Sequence, residues 1–144
     1  MILQASPQKP STVLYAEWAL WLWTTWTCLF GMYQTGTELP QQVQSLNEQL
    51  QGLATIEPKT MMQLAIVGYA VTGISLAWAI YEIGRRKHWP RSSLLWGFAI
   101  ELVWMLFFPP HGLKEWLTDI PDIALQVIAI YWLYTSPAKE WFQV

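Results

Sequence analysis

Four long apolar runs interrupt an otherwise polar chain: 13–33 (VLYAEWALWLWTTWTCLFGMY), 61–83 (MMQLAIVGYAVTGISLAWAIYEI), 92–108 (SSLLWGFAIELVWMLFF) and 120–136 (IPDIALQVIAIYWLYTS). None alternates like a half-buried strand, and each has about the 20 residues a helix needs to cross about 30 Å of hydrocarbon. The pattern predicts an all-α fold: a polytopic membrane protein, one domain over 1–144, with four transmembrane helices. The third run stops at Pro109 and Pro110. The apolar part of the fourth, Ile120 to Tyr134, is the shortest and needs Thr135 to Pro137, or local thinning of the bilayer, to span.

Between the first two runs lies a polar segment, 34–60, predicted as an outer loop. Within it ELPQQVQSLNEQLQG puts Val43, Leu46, Leu50 and Leu53 on or next to one narrow stripe. Pro40 suits a first helical turn and Gly52 a helix end. The segment is expected to form an amphipathic helix that lies on the outer membrane face or binds a partner.

Composition strengthens the membrane reading. Hydrophobic residues make up 53% and charged residues 12%, against about 25% charged in an ordinary soluble domain. Eleven residues are tryptophan. Helix ends explain most of them through the aromatic belt. Trp23 and Trp26 fall mid-helix, where they either stack a flat or cationic ligand or pack against lipid. A net charge of −2 offers nothing to nucleic acid.

Charge also orients the chain. Lys9, Arg85, Arg86, Lys87, Arg91 and Lys139 fall on one side of the four-span arrangement, and Lys59 and Lys114 on the other. The positive-inside rule places both termini and the basic turn GRRKHWPR in the cytoplasm, with the chain multi-pass in a bacterial inner membrane. The first run is too long and Trp-rich for a signal-peptide core and reads as a retained helix.

Glu101 stands out. It lies ten residues past Arg91, about 15 Å into the membrane at 1.5 Å per residue, where an acid costs about 2.5–3.5 kcal/mol. Such a group must face other helices or take up a proton. Gln126 on the fourth run lies at a compatible depth, Tyr69, Thr72 or Ser75 on the second offer donors, and Trp104 lies one turn away. Either Glu101 glues helices together by a hydrogen bond, or Glu101, Gln126, Tyr69 and Trp104 line a proton or substrate route. Glu17 is expected to meet Arg85, Arg86 or Arg91, and Glu82 to pair with Arg85 or Arg86 on the helix surface. Ala65, Gly68, Thr72, Ser75 and Ala79 form a small-residue face for close helix packing, and Gly97 offers the same on the third run.

Little else carries chemistry. Cys28 is the one cysteine, so no intramolecular disulfide or thiol pair forms. His88 and His111 fall on opposite sides. His111 with Asp119 and Asp122 matches no metal-ligand spacing. No catalytic motif occurs. The expectation is a non-enzymatic protein without metal or cofactor.

The stretches IYEIGRRKHWPR and ALQVIAIYWLYTSPAKEWF resemble a loose group of small bacterial inner-membrane proteins with four predicted helices. Gly84, Arg85, Trp89 and Arg91 match that group's cytoplasmic turn, with one extra residue before the tryptophan. Ser136, Pro137, Trp141 and Phe142 match its tail. The resemblance implies a fold and a location, and no activity. Small multidrug transporters are similar in having four short helices and an acid in the first, here Glu17, but the long segment 34–60 and the one-sided charge set this chain apart.

Two functions follow as expectations. One is an accessory, sensor or immunity-type subunit that packs against another membrane protein or a second copy of itself. The other is a small proton-coupled transporter or channel with Glu101 as its protonatable site.

Overall fold

The computed structural model describes residues 8–49, 57–107 and 112–143. Among them run five helices and no strand: α1 (Ser11–Gln49), α2 (Pro58–Gly84), α3 (Trp89–Phe107), α4 (Leu113–Tyr134) and α5 (Ser136–Trp141). The chain is all-α, as the apolar periodicity predicts. Among the described residues one helix, α2, is long and apolar enough to cross a membrane. α3 includes Arg91, Ser92, Ser93 and Glu101, and α4 includes Lys114, Glu115, Asp119 and Asp122. These polar positions dilute their apolar character.

α1 differs from the expectation. It does not stop near Tyr33 but runs for 39 residues, about 58 Å at 1.5 Å per residue. Segment 34–49 is thus a continuation of α1, not part of a loop with its own helix. Leu50, Gly52 and Leu53 of the expected stripe lie outside the described residues. Pro40 sits inside α1. A proline there costs one helical hydrogen bond, the one to the Gly36 carbonyl. The Thr37 hydroxyl donates to the carbonyls of Tyr33 and Gln34 at 3.1 and 3.2 Å, tying down the turn before the proline. The apolar run ends at Tyr33, but the glutamines, glutamates and leucines beyond it are good helix formers and carry the helix onward.

Side-chain packing divides the chain into two units, Met1–Trp23 with Trp78–Val144, and Thr24–Ala77. In the first, Val13, Ala16, Ala19 and Leu20 of α1 pack with Ile80 and Ile83 of α2, Ala129 and Leu133 of α4, and Ala138, Trp141 and Phe142 at the C-terminal end. α4 leaves the helix at Thr135, whose backbone is extended (φ −71°, ψ 161°). Pro137 then occupies the opening turn of α5, where a missing N–H is harmless. α3 and α4 run antiparallel: Arg91 near the start of α3 meets Tyr134 at the end of α4, and Glu101 meets Gln126.

In the second unit α1 and α2 are antiparallel and close. The Cys28 thiol faces the Tyr69 carbonyl at 3.8 Å. A Cβ on Gly73 would lie 3.4 Å from the Cys28 sulfur, and a Cβ on Gly31 would run into the Tyr69 ring. The contact between these two helices thus runs over Gly31 and Gly73, not over the face read from the sequence. A Cβ on Gly68 or on Gly97 would meet nothing within 4 Å. Thr72 and Ser75 are exposed and Ala65 half-buried, and of that predicted face only Ala79 is buried. Small-residue spacing marks a face that permits close packing; it does not say which of several such faces the chain uses.

The inside combines small and large apolar groups: Ala16, Ala19, Ala79, Ala129 and Ala138 are buried, and so are Leu20, Ile80, Ile83, Leu133, Trp141 and Phe142. Many large apolar groups also face out, with Trp96 at 69%, Ile74 at 71% and Leu106 at 81% exposure. Of the charged and amide side chains, Glu82 and Gln126 are buried.

One prediction tests the packing. Gly31→Val is expected to lower thermal stability in detergent by about 1–3 kcal/mol through overpacking against Tyr69. Gly68→Val, with open space around it, is expected to cost well under half of that. Tyr69→Ala in the Gly31→Val background should recover part of the loss. Equal melting shifts for the two glycine variants would refute the assignment.

Candidate functional site

α4 carries Asp122 and Gln126 one turn apart, so their side chains lie on one face. Gln126 is 5% exposed. Its amide nitrogen donates to Glu101 Oε2 at 2.5 Å and to Asp122 Oδ2 at 2.9 Å. The indole N–H of Trp23 on α1 donates to the other oxygen, Asp122 Oδ1, at 2.7 Å. The result is a hydrogen-bonded chain, Trp23–Asp122–Gln126–Glu101, that links α1, α4 and α3. Both hydrogens of one amide and the single hydrogen of an indole go to carboxylate oxygens.

The pairing of Glu101 with Gln126 is visible in the sequence through their matched depths. Asp122 and Trp23 are not assigned to this chain by the sequence reading. Asp122, inside the predicted fourth run, is read there only as a possible partner of His111 and Asp119; α4 begins seven residues earlier than predicted and takes in Asp119 as well. His111 lies outside the described residues. Asp119 is half-buried in α4 and accepts a hydrogen bond from the Thr118 hydroxyl at 3.3 Å. Among the described residues no group of acids, histidines and cysteines is arranged to hold a metal ion. The four-residue spacing of Asp122 and Gln126 is the signal that finds the chain.

Two other predicted members sit differently. Tyr69 lies in the second unit, with its ring over Gly31. Trp104, one turn past Glu101 on α3, is exposed. Trp26 stacks on Phe30 at 5.5 Å between centroids.

A second cluster forms at the other end of the first unit. α2 ends in a Schellman motif: the Lys87 N–H bonds the Glu82 carbonyl at 3.0 Å and the Arg86 N–H bonds the Ile83 carbonyl at 3.0 Å. The left-handed position that glycine usually fills is here Arg86, with φ 64°. The Arg86 guanidinium lies over the Trp141 ring at 4.1 Å. Arg91 lies over Tyr134 at 4.4 Å and Phe142 at 4.7 Å. The basic turn and the C-terminal tail, two separate features of the sequence, are therefore one structure.

The acids at this end differ from the expectation. Glu17 pairs with Lys9, at 2.6 and 2.8 Å, rather than with an arginine. Both atoms of the pair pack against Gly84, where a Cβ would lie 3.3 Å from the Glu17 oxygen and 3.4 Å from the Lys9 nitrogen. Glu82 pairs with Arg85 at 3.5 Å as predicted, but it is buried and not a surface group.

Comparison with known proteins adds nothing to this geometry: no family model, no curated protein and no solved structure matches the chain.

Gln126 is the member of the polar chain that cannot be replaced by shape alone. Gln126→Leu removes the amide held between two half-buried carboxylates and is expected to lower stability by about 1–2 kcal/mol, the loss of two hydrogen bonds. Gln126→Glu adds a third acid and is expected to cost more. Thermal melts of the purified variants check both; a Gln126→Leu melt equal to that of the parent chain refutes the linking role.

Proposed function

We propose that the chain is a non-enzymatic, multi-pass membrane protein in which α1 to α4 cross the bilayer. The supporting observation is the extent of exposed large apolar side chains along α1 to α4, among them Trp18, Leu29, Ile74, Trp96, Leu106 and Leu117. In water such a surface would far exceed the apolar patch a monomer tolerates. In lipid it is the expected arrangement, since small residues let helices approach and large ones meet acyl chains. Helix lengths agree: about 28 Å for α3 and about 33 Å for α4 at 1.5 Å per residue.

Orientation follows from charge. Lys9 packs by Gly84, and Arg86 and Arg91 pack on the C-terminal aromatics, which gathers the basic groups at one end of the first unit. That end is cytoplasmic, in the inner membrane of a bacterium.

The function this supports best is that of an accessory subunit, of the kind that includes sensors and immunity proteins. The Trp23–Asp122–Gln126–Glu101 chain locks three helices into a scaffold, and the open positions at Gly68 and Gly97 leave room for a helix of another protein or a second copy. Glu101→Gln keeps an oxygen to accept the Gln126 bond, so the variant should fold and retain its partner. Native mass spectrometry of gently extracted protein tests this. A second protein in fixed ratio, present with both the parent chain and Glu101→Gln, supports the reading; loss of fold and partner together in the variant counts against it.

A second reading has its own observation. A glue needs one acid, and this network holds two, Glu101 and Asp122, against a single amide. That arrangement suits a small proton-coupled transporter or channel, because an ionisable residue within a membrane helix marks an ion or proton path. It predicts pH-dependent flux in liposomes that Glu101→Gln abolishes, and flux equal to empty liposomes sinks it.

A further inference from the structure

The basic end of the first unit has a charge imbalance that the scaffold role leaves unexplained. Among the described residues two ion pairs form, Lys9–Glu17 and Arg85–Glu82. Neither includes Arg86, Lys87, Arg91 or Lys139. Arg91 is half-buried, and its Nε is buried with no hydrogen-bond partner. A buried N–H without an acceptor is costly, and more so on a permanently charged group. The chain also places Arg86 in a left-handed backbone conformation, one that disfavours any residue with a Cβ. The Schellman turn accounts for that backbone, and the Arg86 side chain it presents lies on the Trp141 ring.

Geometry says what the two arginines have left to offer. Each guanidinium lies over an aromatic face, Arg86 on Trp141 and Arg91 on Tyr134 and Phe142. A stacked guanidinium commits its plane to the ring and leaves N–H donors along its edge for an acceptor; at Arg91 these are the terminal amino groups, since Nε is buried. The rings sit on the tail, so both cations are held in place and not free to sweep through solvent. Two positioned forks of donors, with no carboxylate of their own, match an oxyanion with several acceptor oxygens. Lys87 and Lys139 are exposed nearby in sequence on the same turn and tail.

We propose that Arg86 and Arg91, seated on Trp141, Tyr134 and Phe142, form a binding site for a phosphate group, and that the phosphate is the headgroup of an anionic phospholipid. The lipid source follows from the membrane reading above, on which this inference rests. Under that reading the basic end lies at the cytoplasmic surface, where basic pockets beside helix ends meet anionic headgroups. The aromatic tail then serves as a clamp that positions the two cations at headgroup level. Arg85, paired with Glu82, and Lys9, paired with Glu17, are outside the site.

The test is a lipid titration of the purified full chain followed by native mass spectrometry, with phosphatidylglycerol, phosphatidylcholine and inorganic phosphate as separate probes. The expected result is one tightly held phosphatidylglycerol, preferred over phosphatidylcholine by on the order of tenfold. Arg86→Gln with Arg91→Gln should abolish the preference, while Lys59→Gln should keep it. Because the double variant risks misfolding, amide exchange on the parent chain gives a second readout. Phosphatidylglycerol should slow exchange in 84–91 and 136–142, and phosphatidylcholine should not. Equal retention of the two lipids by the parent chain, or unchanged exchange in both segments, overturns the proposal. Inorganic phosphate that displaces the lipid at equal concentration would overturn the lipid assignment in favour of a soluble phosphate ligand. Carbonate extraction of the membranes separates the two levels. Recovery of the chain in the soluble fraction defeats the membrane reading itself, whereas a chain that stays in the pellet without lipid preference defeats this site alone.

Discussion

The amide of Gln126 is the group on which the first unit depends. It is buried on α4 and donates to two carboxylates, Glu101 of α3 and Asp122 of its own helix. Both carboxylates are half-buried, and each gains from donors that are scarce among alanines and leucines. Gln126 supplies two hydrogens from one atom, and Trp23 supplies a third from α1. Without the amide the two acids would face each other unshielded. With it, three helices share one polar seam, and their depths relative to one another are set by where that seam falls on each.

The polar seam and the apolar exterior are two sides of one constraint. Large apolar groups cover much of the outside, while inside the polar seam runs beside a cluster of small and large residues, Leu20, Ile83, Leu133 and Phe142 among them. Ala16, Ala19, Ala129 and Ala138 in that cluster let their helices come close. Glycine plays the same part in the second unit, where Gly31 accepts the Tyr69 ring and Gly73 lies against Cys28. The basic end uses a different device. There aromatic rings from the tail receive arginines from the turn after α2, so cation–π contacts replace ion pairs in holding that turn to the tail.

Several features were legible in the residues. All-helical structure follows from the length of the apolar runs, which no strand needs. Depth counting puts Gln126 among the possible partners of Glu101, with Tyr69, Thr72 and Ser75, and the bond to Gln126 is the one that forms. The Glu82–Arg85 pair follows from a three-residue spacing. Other features needed more than local pattern. α1 passes Tyr33 and Pro40 because helix propensity outlasts the apolar periodicity, and a single proline removes only one bond. Glu17 chose Lys9 because the chain before α1 folds back along it, which no helical spacing records.

Sequence by itself determined the chemistry available: apolar runs long enough for helices, a few acids within them, a basic turn and an aromatic tail. It determined these because period, length and charge are properties of a chain read in one dimension. Only the tertiary structure decided which groups meet. It brought Asp122 and Trp23 to Glu101 and Gln126, turned Gly31 rather than Gly68 toward a neighbouring helix, and set Arg86 and Arg91 on Trp141 and Phe142. The reason is physical. A helix offers several faces with similar small-residue spacing and several polar groups of similar depth, and the choice among them is made by the rotation of one helix against another. That rotation is set by the sum of all packing contacts, and no single residue carries it.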